Sequence, residues 1–181
     1  MDLKEKKISG EVIYDGKILK LIKDKVLCPN GNESYREVVR HNGGAAILCI
    51  TKDEEVFLVK QYRYPYDEVM YEIPAGKLEV GEAPYDAALR EFEEETGNKT
   101  DKLYDLGVMY PSCGYTSEKI YLFLATDFKK TQMNLDSDET LEVLTLPLSK
   151  VKDMILNGEI KDSKAICAIM RYELLKEKGN I

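Results

Sequence analysis

Gly76-Lys-Leu-Glu-Val-Gly-Glu82-Ala-Pro84-Tyr-Asp-Ala-Ala-Leu-Arg90-Glu91-Phe92-Glu93-Glu94-Glu95-Thr96-Gly97 is a loop that runs into a helix with two marked ends. Pro84 suits the first helical position, where its missing N–H costs nothing, and Gly97 suits the left-handed residue just past the last turn. The spacing therefore predicts a helix over residues 84–96. Tyr85, Ala88, Leu89 and Phe92 recur three and four apart and form an apolar stripe, while Glu91, Glu94 and Glu95 share a neighbouring face and Glu93 points elsewhere. Like charges at this spacing weaken an isolated helix by about 0.2–0.5 kcal/mol per pair. A divalent cation would remove that penalty, and hard ions such as Mg²⁺ are commonly held by a few carboxylates together with substrate phosphates. A Glu-rich surface is also compatible with a plain solvated face, so the flanking residues have to decide.

They do so through a fixed spacing: Gly76, five residues, Glu82, seven residues, Arg90-Glu91, an apolar residue, any residue, Glu94-Glu95, any residue, Gly97. This pattern resembles the Nudix box, the signature of hydrolases that cleave a nucleoside diphosphate linked to another group. The resemblance implies that Glu91, Glu95 and the carbonyl of Ala75 hold metal, with Glu94 assisting. It also implies that Arg90 holds the glutamates by charge-assisted hydrogen bonds and that Glu82 fastens the loop to the helix. Asn98 departs from the pattern, which has an aliphatic residue there, and the departure bears on packing more than on chemistry.

Composition sets the class. The chain has 181 residues, 44% hydrophobic and 33% charged, as in an ordinary soluble globular domain. Its net charge of −7, with no Lys/Arg-rich block, argues against a nucleic-acid partner. Cys28, Cys49, Cys113 and Cys167 are scattered without a Cys-x-x-Cys pair, so reduced thiols are expected rather than a zinc site or a disulfide framework. The start of the chain is charged, and no window approaches the length of a membrane span, so no membrane partner and a cytoplasmic location are expected. His41, beside Asn42-Gly43-Gly44, reads as a turn or core residue.

Ser9–Tyr14, Leu19–Cys28 and Ser34–Arg40 read as three strands of a small antiparallel sheet, separated by Asp15-Gly16 and Pro29-Asn-Gly31. Such a sheet lies near the lower limit of independent stability and needs something to pack on. In enzymes similar to the ADP-ribose-cleaving Nudix subclass a lobe of this kind meets the partner subunit, so the resemblance implies a homodimer. The domain division expected is therefore residues 1–40 as a β lobe for dimerisation and residues 41–181 as the hydrolase domain.

Gly44–Thr51 and Glu55–Tyr62 read as central strands. The second ends in Gln61-Tyr62-Arg63-Tyr64-Pro65, and Arg suits bidentate phosphate contact. Gln-Tyr-Arg is similar to the phosphate-contacting strand end of that subclass, which makes Arg63 a substrate-binding candidate; Arg36 and Glu118 are the other two. Strands over 102–110 and 119–125 flank the loop Pro111-Ser-Cys-Gly-Tyr-Thr-Ser-Glu118, a substrate-specificity candidate. The ADP-ribose subclass carries Ser-Pro-Gly there, and this chain carries Ser112-Cys113-Gly114. Cys113 lacks a neighbouring histidine and is not read as a nucleophile.

Leu135-Asp136-Ser137-Asp138-Glu139 is an acidic loop leading to a strand over 141–146; Asp136 and Asp138 read as a solvated turn. In resembling enzymes a mobile glutamate of this loop acts as base or orients the water, a role that falls to Glu139 with Glu142 as its rival. Helices are expected over 148–156 and 163–178, the second with Ala165, Ile169, Tyr172 and Leu175 at helical spacing. Together these give an α+β fold, a Nudix-like α/β/α sandwich with an N-terminal antiparallel β lobe. The activity implied is Mg²⁺-dependent (Mn²⁺ being the alternative ion) hydrolysis of ADP-ribose or a related nucleoside diphosphate sugar. Another nucleotide sugar, a dinucleotide, or a non-catalytic nucleotide-sugar sensor are the other readings.

Overall fold

The computed structural model describes residues 2–135 and 139–181; Asp136, Ser137 and Asp138, read above as an acidic turn, lie outside the described residues. Two compact units are distinguished, one made of residues 1–43 with 110–119 and the other of residues 44–109 with 120–181.

In the first unit β1 (Lys6–Asp15), β2 (Lys20–Leu27) and β3 (Glu33–Arg40) form an antiparallel sheet in the order β1-β2-β3. Two irregularities in the β1–β2 register, between Lys7 and Ser9 and between Val12 and Tyr14, break the alternation along β1. All ten residues of β1 are exposed. The segment 110–119 joins this unit through β3: the Val39 N–H donates to the Tyr115 carbonyl (2.8 Å) and the Ser117 N–H to the Val39 carbonyl (2.9 Å). His41 is a turn residue, its Nδ1 accepting the Gly43 N–H at 3.0 Å.

The second unit begins with β4 (Gly44–Cys49), which is buried along its whole length, and β5 (Glu55–Arg63). A 3-10 turn over Tyr64–Tyr66 leads to β6 (Glu68–Glu72) and β7 (Ala75–Lys77), two strands the hydrophobic pattern does not announce. Next come α1 (Pro84–Thr96), β8 (Asn98–Lys99), β9 (Tyr104–Met109), β10 (Ile120–Ala125), β11 (Lys129–Lys130), β12 (Leu141–Pro147), α2 (Leu148–Leu156) and α3 (Ser163–Glu177). The central sheet has the order β7-β4-β10-β9, with β4 and β10 parallel. A second sheet has the order β12-β5-β6, and β8 pairs with β11.

The pleat of β4 and β10 sorts the core into two layers. Ala45, Ile47, Cys49, Phe123 and Ala125 face Ala87, Ala88 and Phe92 of α1. Ala46, Leu48, Leu122 and Leu124 face Val151 and Met154 of α2 and Ala165, Ala168 and Ile169 of α3. Helix, sheet and helices are the three layers expected of this α+β fold. Tyr85 sits at the edge of the α1 stripe, stacked edge-on against Phe123 and accepting the Leu103 N–H, and Ala87 takes the inner place. Asn98 is buried, and its side-chain amide donates to the Thr96 carbonyl at 2.9 Å, so the polar group at this apolar position is satisfied by its own turn.

Candidate functional site

Helix α1 lies on β4 and β7, which brings its inner carboxylates to the backbone that opens the box. Glu95 is only 3% exposed, and its Oε2 accepts the Ala75 N–H at 2.9 Å. Burial pushes its carboxyl up to about 8, the Ala75 N–H working against that and the charges of Glu91 and Glu139 adding to it. Glu91 is shifted upward as well, first by burial, with Arg90 opposing and Glu94 and Glu139 reinforcing.

Gly76 shows how closely Glu91 approaches. A Cβ built there would fall 1.8 Å from Glu91 Oε1, and Gly76 is held in register opposite Ala45 of β4, so a side chain at this position and the Glu91 carboxylate exclude each other.

Arg90 ties loop and helix together. Its Nε and Nη2 donate to the two oxygens of Glu82 (2.9 and 3.1 Å), its Nη1 to Glu91 Oε1 (2.7 Å) and Glu94 Oε2 (3.0 Å), and its Nη2 also reaches the Lys77 carbonyl (3.3 Å). Glu82 in turn accepts the Glu79 N–H, closing the loop on itself. The hydrogen bonds to Glu82, then those to Glu91 and Glu94, outweigh burial and raise the Arg90 guanidinium above its usual range.

The structure thus gathers Ala75, Arg90, Glu91, Glu94 and Glu95 in one place. The charge of Glu139 is felt at both Glu91 and Glu95, whereas Glu142 lies along β12 in an ion pair with Lys60 at 3.6 Å. Arg63 ends β5, and its charge is felt by Glu95; its fork is bonded to Glu72 through Nε (2.5 Å) and Nη2 (2.7 Å). Arg36 and Glu118 belong to the first unit. Arg36 is paired with Glu5 through Nε (3.0 Å) and Nη2, and Glu118 Oε1 lies 3.4 Å from His41 Nδ1. Sequence reasoning passed over Glu72, which holds the Arg63 fork, Lys164, which is bonded to Glu72, and Asp162, which is bonded to Lys164; as single charged residues they carry no spacing signal.

A divalent cation fits this donor set. A buried carboxylate, Glu95, and a half-buried one, Glu91, lie against one stretch of backbone, and both are pushed toward the neutral form by desolvation and by the charge of neighbouring glutamates, which a cation would relieve. Among the described residues no group of three or more His, Cys, Asp or Glu side chains could hold a metal ion. Two carboxylates and a backbone carbonyl leave coordination positions for other oxygen ligands, as a hard divalent cation bound without an all-protein cage requires.

Comparison with known proteins points the same way. The chain is 41% identical to the ADP-ribose pyrophosphatase of Bacillus subtilis (strain 168) over 177 residues, 97% of this chain and 95% of that one. It is 40% identical to the methanol dehydrogenase activator of Bacillus methanolicus, covering 94% and 93% of the two chains. A solved structure described as an ADP compounds hydrolase superposes with a TM-score of 0.83 over 98% of this chain and 97% of that one; at 22% identity it speaks for the fold. Residues 40–168, more than half of the sequence and the whole of the box, match the NUDIX domain, and the chain belongs to that family.

Proposed function

We propose that the protein hydrolyses the pyrophosphate bond of ADP-ribose or a related nucleoside diphosphate sugar, using Mg²⁺ and giving AMP and ribose 5-phosphate from ADP-ribose. The observation that carries the reading is the pair of carboxylates, the half-buried Glu91 and the buried Glu95, held against Gly76 and Ala75 in a chain similar to an ADP-ribose pyrophosphatase along nearly its full length. NUDIX hydrolases use divalent cations. Glu91, Glu95 and the Ala75 carbonyl would hold the ion, which when bound neutralises phosphate charge and makes a bound water more acidic. Mn²⁺ would serve with the same oxygen ligands.

Arg90 keeps Glu91 and Glu94 in place by donating to both. Glu139 takes the proton of the attacking water or orients it. Two facts support it over Glu142: its charge reaches the two inner glutamates, and Glu142 is engaged with Lys60. Arg63 offers its guanidinium to a phosphate oxygen; Arg36 and Glu118 are the other substrate-binding candidates.

The N-terminal lobe, residues 1–40, would serve dimerisation, with residues 41–181 as the hydrolase domain. In support, Ile8, Val12, Ile13 and Tyr14 of β1 are each at least half exposed, more apolar surface than one strand of a monomer commonly shows to water. Among the described residues no helix is long and apolar enough to cross a membrane, and a cytoplasmic location is part of the same proposal.

A hydrolysis panel of ADP-ribose, UDP-glucose, GDP-mannose, NADH and diadenosine polyphosphates with Mg²⁺, the products separated by chromatography, tests the reading. AMP released mainly from ADP-ribose is expected. Tight binding without cleavage would replace hydrolysis with sensing. The similarity to the methanol dehydrogenase activator favours a second reading, in which the chain stimulates a methanol dehydrogenase; the rate of methanol oxidation with and without the added chain tests it.

A further inference from the structure

We propose that Lys164 is a positioning residue of this site, fixing the direction of the Arg63 guanidinium through the carboxylate of Glu72; the inference rests on Arg63 contacting substrate phosphate.

Glu72 closes β6 and is 2% exposed, so its charge has little water to turn to. Three donors take the place of water. Arg63 Nε binds Oε1 at 2.5 Å, Arg63 Nη2 binds Oε2 at 2.7 Å, and Lys164 Nζ binds the same Oε2 at 2.8 Å. Lys164 is fixed from its other side, because its Nζ also donates to Asp162 Oδ1 at 2.8 Å. Asp162 is itself immobilised as the N-cap of α3, its Oδ2 accepting the Ala165 N–H at 2.9 Å. Charges alternate along the line Arg63, Glu72, Lys164, Asp162, and the line joins the end of β5 to the start of α3.

The geometry gives Lys164 a task that charge balance alone does not require. A bidentate pair is planar, so the plane of the carboxylate sets the plane of the guanidinium. Oε2 is shared between Nη2 and Nζ, so Lys164 prevents the carboxylate from turning about its last torsion. Nε–H and one N–H of Nη2 are committed to Glu72, and Nη1 with the outer N–H of Nη2 is the edge of Arg63 left for a ligand. Its direction is therefore set from α3, where nothing in the box motif would place a functional residue. Burial disfavours the ammonium, but Asp162 and Glu72 outweigh it and hold Lys164 charged.

The test is a mutant cycle in the full chain, with Lys164→Met, Arg63→Ala and the double variant assayed for Mg²⁺-dependent ADP-ribose hydrolysis beside melting temperature. Lys164→Met is expected to raise KM about tenfold with kcat within about threefold, as for loss of a group that orients a binding residue. Lys164→Arg, which can still donate to both carboxylates, is expected to restore KM to within about threefold. In the Arg63→Ala background the Lys164→Met substitution should change neither constant, because the group it aims is gone. If Lys164→Met does not fold, Lys164→Gln takes its place in the cycle, keeping a donor and losing the charge. An unchanged KM, or the same loss with and without Arg63, overturns the inference and leaves Lys164 a helix anchor. An inactive wild type, or an Arg63→Ala variant with normal kinetics, overturns the substrate role of Arg63 as well, and these two results appear before any Lys164 variant is assayed.

Discussion

Replacing Glu95 with Gln is expected to make the metal-free protein more stable while removing its turnover. The folded carboxyl titrates at about 8 and its ordinary value is 4.5, because it is nearly sealed from water and faces two other glutamates. Between those two values the unfolded chain carries it ionised and the fold keeps it protonated, so folding takes up a proton and stability falls as pH rises through that window. The loss is near zero at pH 4, about 3 kcal/mol at pH 7 and about 4 kcal/mol at pH 8. A glutamine has the shape of the protonated acid and can still accept the Ala75 N–H, so the variant escapes the loss. For a chain of this length, about 3 kcal/mol corresponds to a rise of about 6–12 °C in Tm. Calorimetry in EDTA at pH 5, 7 and 8 would show the two proteins converging at the lowest pH and diverging upward. Added Mg²⁺ should then stabilise the wild type and leave the variant unmoved. A variant no more stable than the wild type at pH 8 in EDTA would refute the reasoning, because burial would then not be straining this carboxylate.

Three further substitutions probe the rest of the unit. Gly76→Ala should displace the Glu91 carboxylate, since the register with Ala45 keeps the backbone from retreating, and lower kcat/KM about a hundredfold with the fold intact by circular dichroism; wild-type kinetics would show that Glu91 can move without cost. Arg90→Lys should cost at least about tenfold in kcat/KM and raise amide exchange at Glu79, because a lysine ammonium cannot span Glu82, Glu91, Glu94 and the Lys77 carbonyl together. Phe92→Ala removes a fully buried ring that meets Phe128 edge-on at 5.9 Å, and a loss of about 3–5 kcal/mol is expected in urea denaturation.

Helix α1 could be read from sequence to its terminal residues because Pro84 and Gly97 mark both ends by backbone chemistry that no tertiary contact needs to supply. β4 was legible for the opposite reason: a strand buried on both faces is apolar at every position. β6 and β7 were not, since Glu72 is charged yet buried, and Ala75-Gly76-Lys77 has no strand-forming residue; both are strands because β5 and β4 offer them open edges. At the site, the box spacing pointed to the inner glutamates and Arg90, all of which lie within one loop and helix. It could not name Lys164, which reaches Glu72 from 92 residues away in sequence. Nor could it give the affiliation of the 110–119 segment, which is decided by backbone pairing with Val39 and leaves no side-chain trace.

That pairing limits how the protein can be re-engineered. An exchange of the 110–119 loop with a relative's, intended to change the preferred substrate, would import a segment whose conformation is templated by the carbonyl and N–H of Val39 and by the His41 N–H, which donates to the Ser117 hydroxyl. A graft cut at the loop ends would arrive without its template. Chimeras whose boundaries carry residues 33–41 along with 110–119 transplant a complete hydrogen-bonded module, and are the ones from which a change in selectivity could be traced to the loop itself.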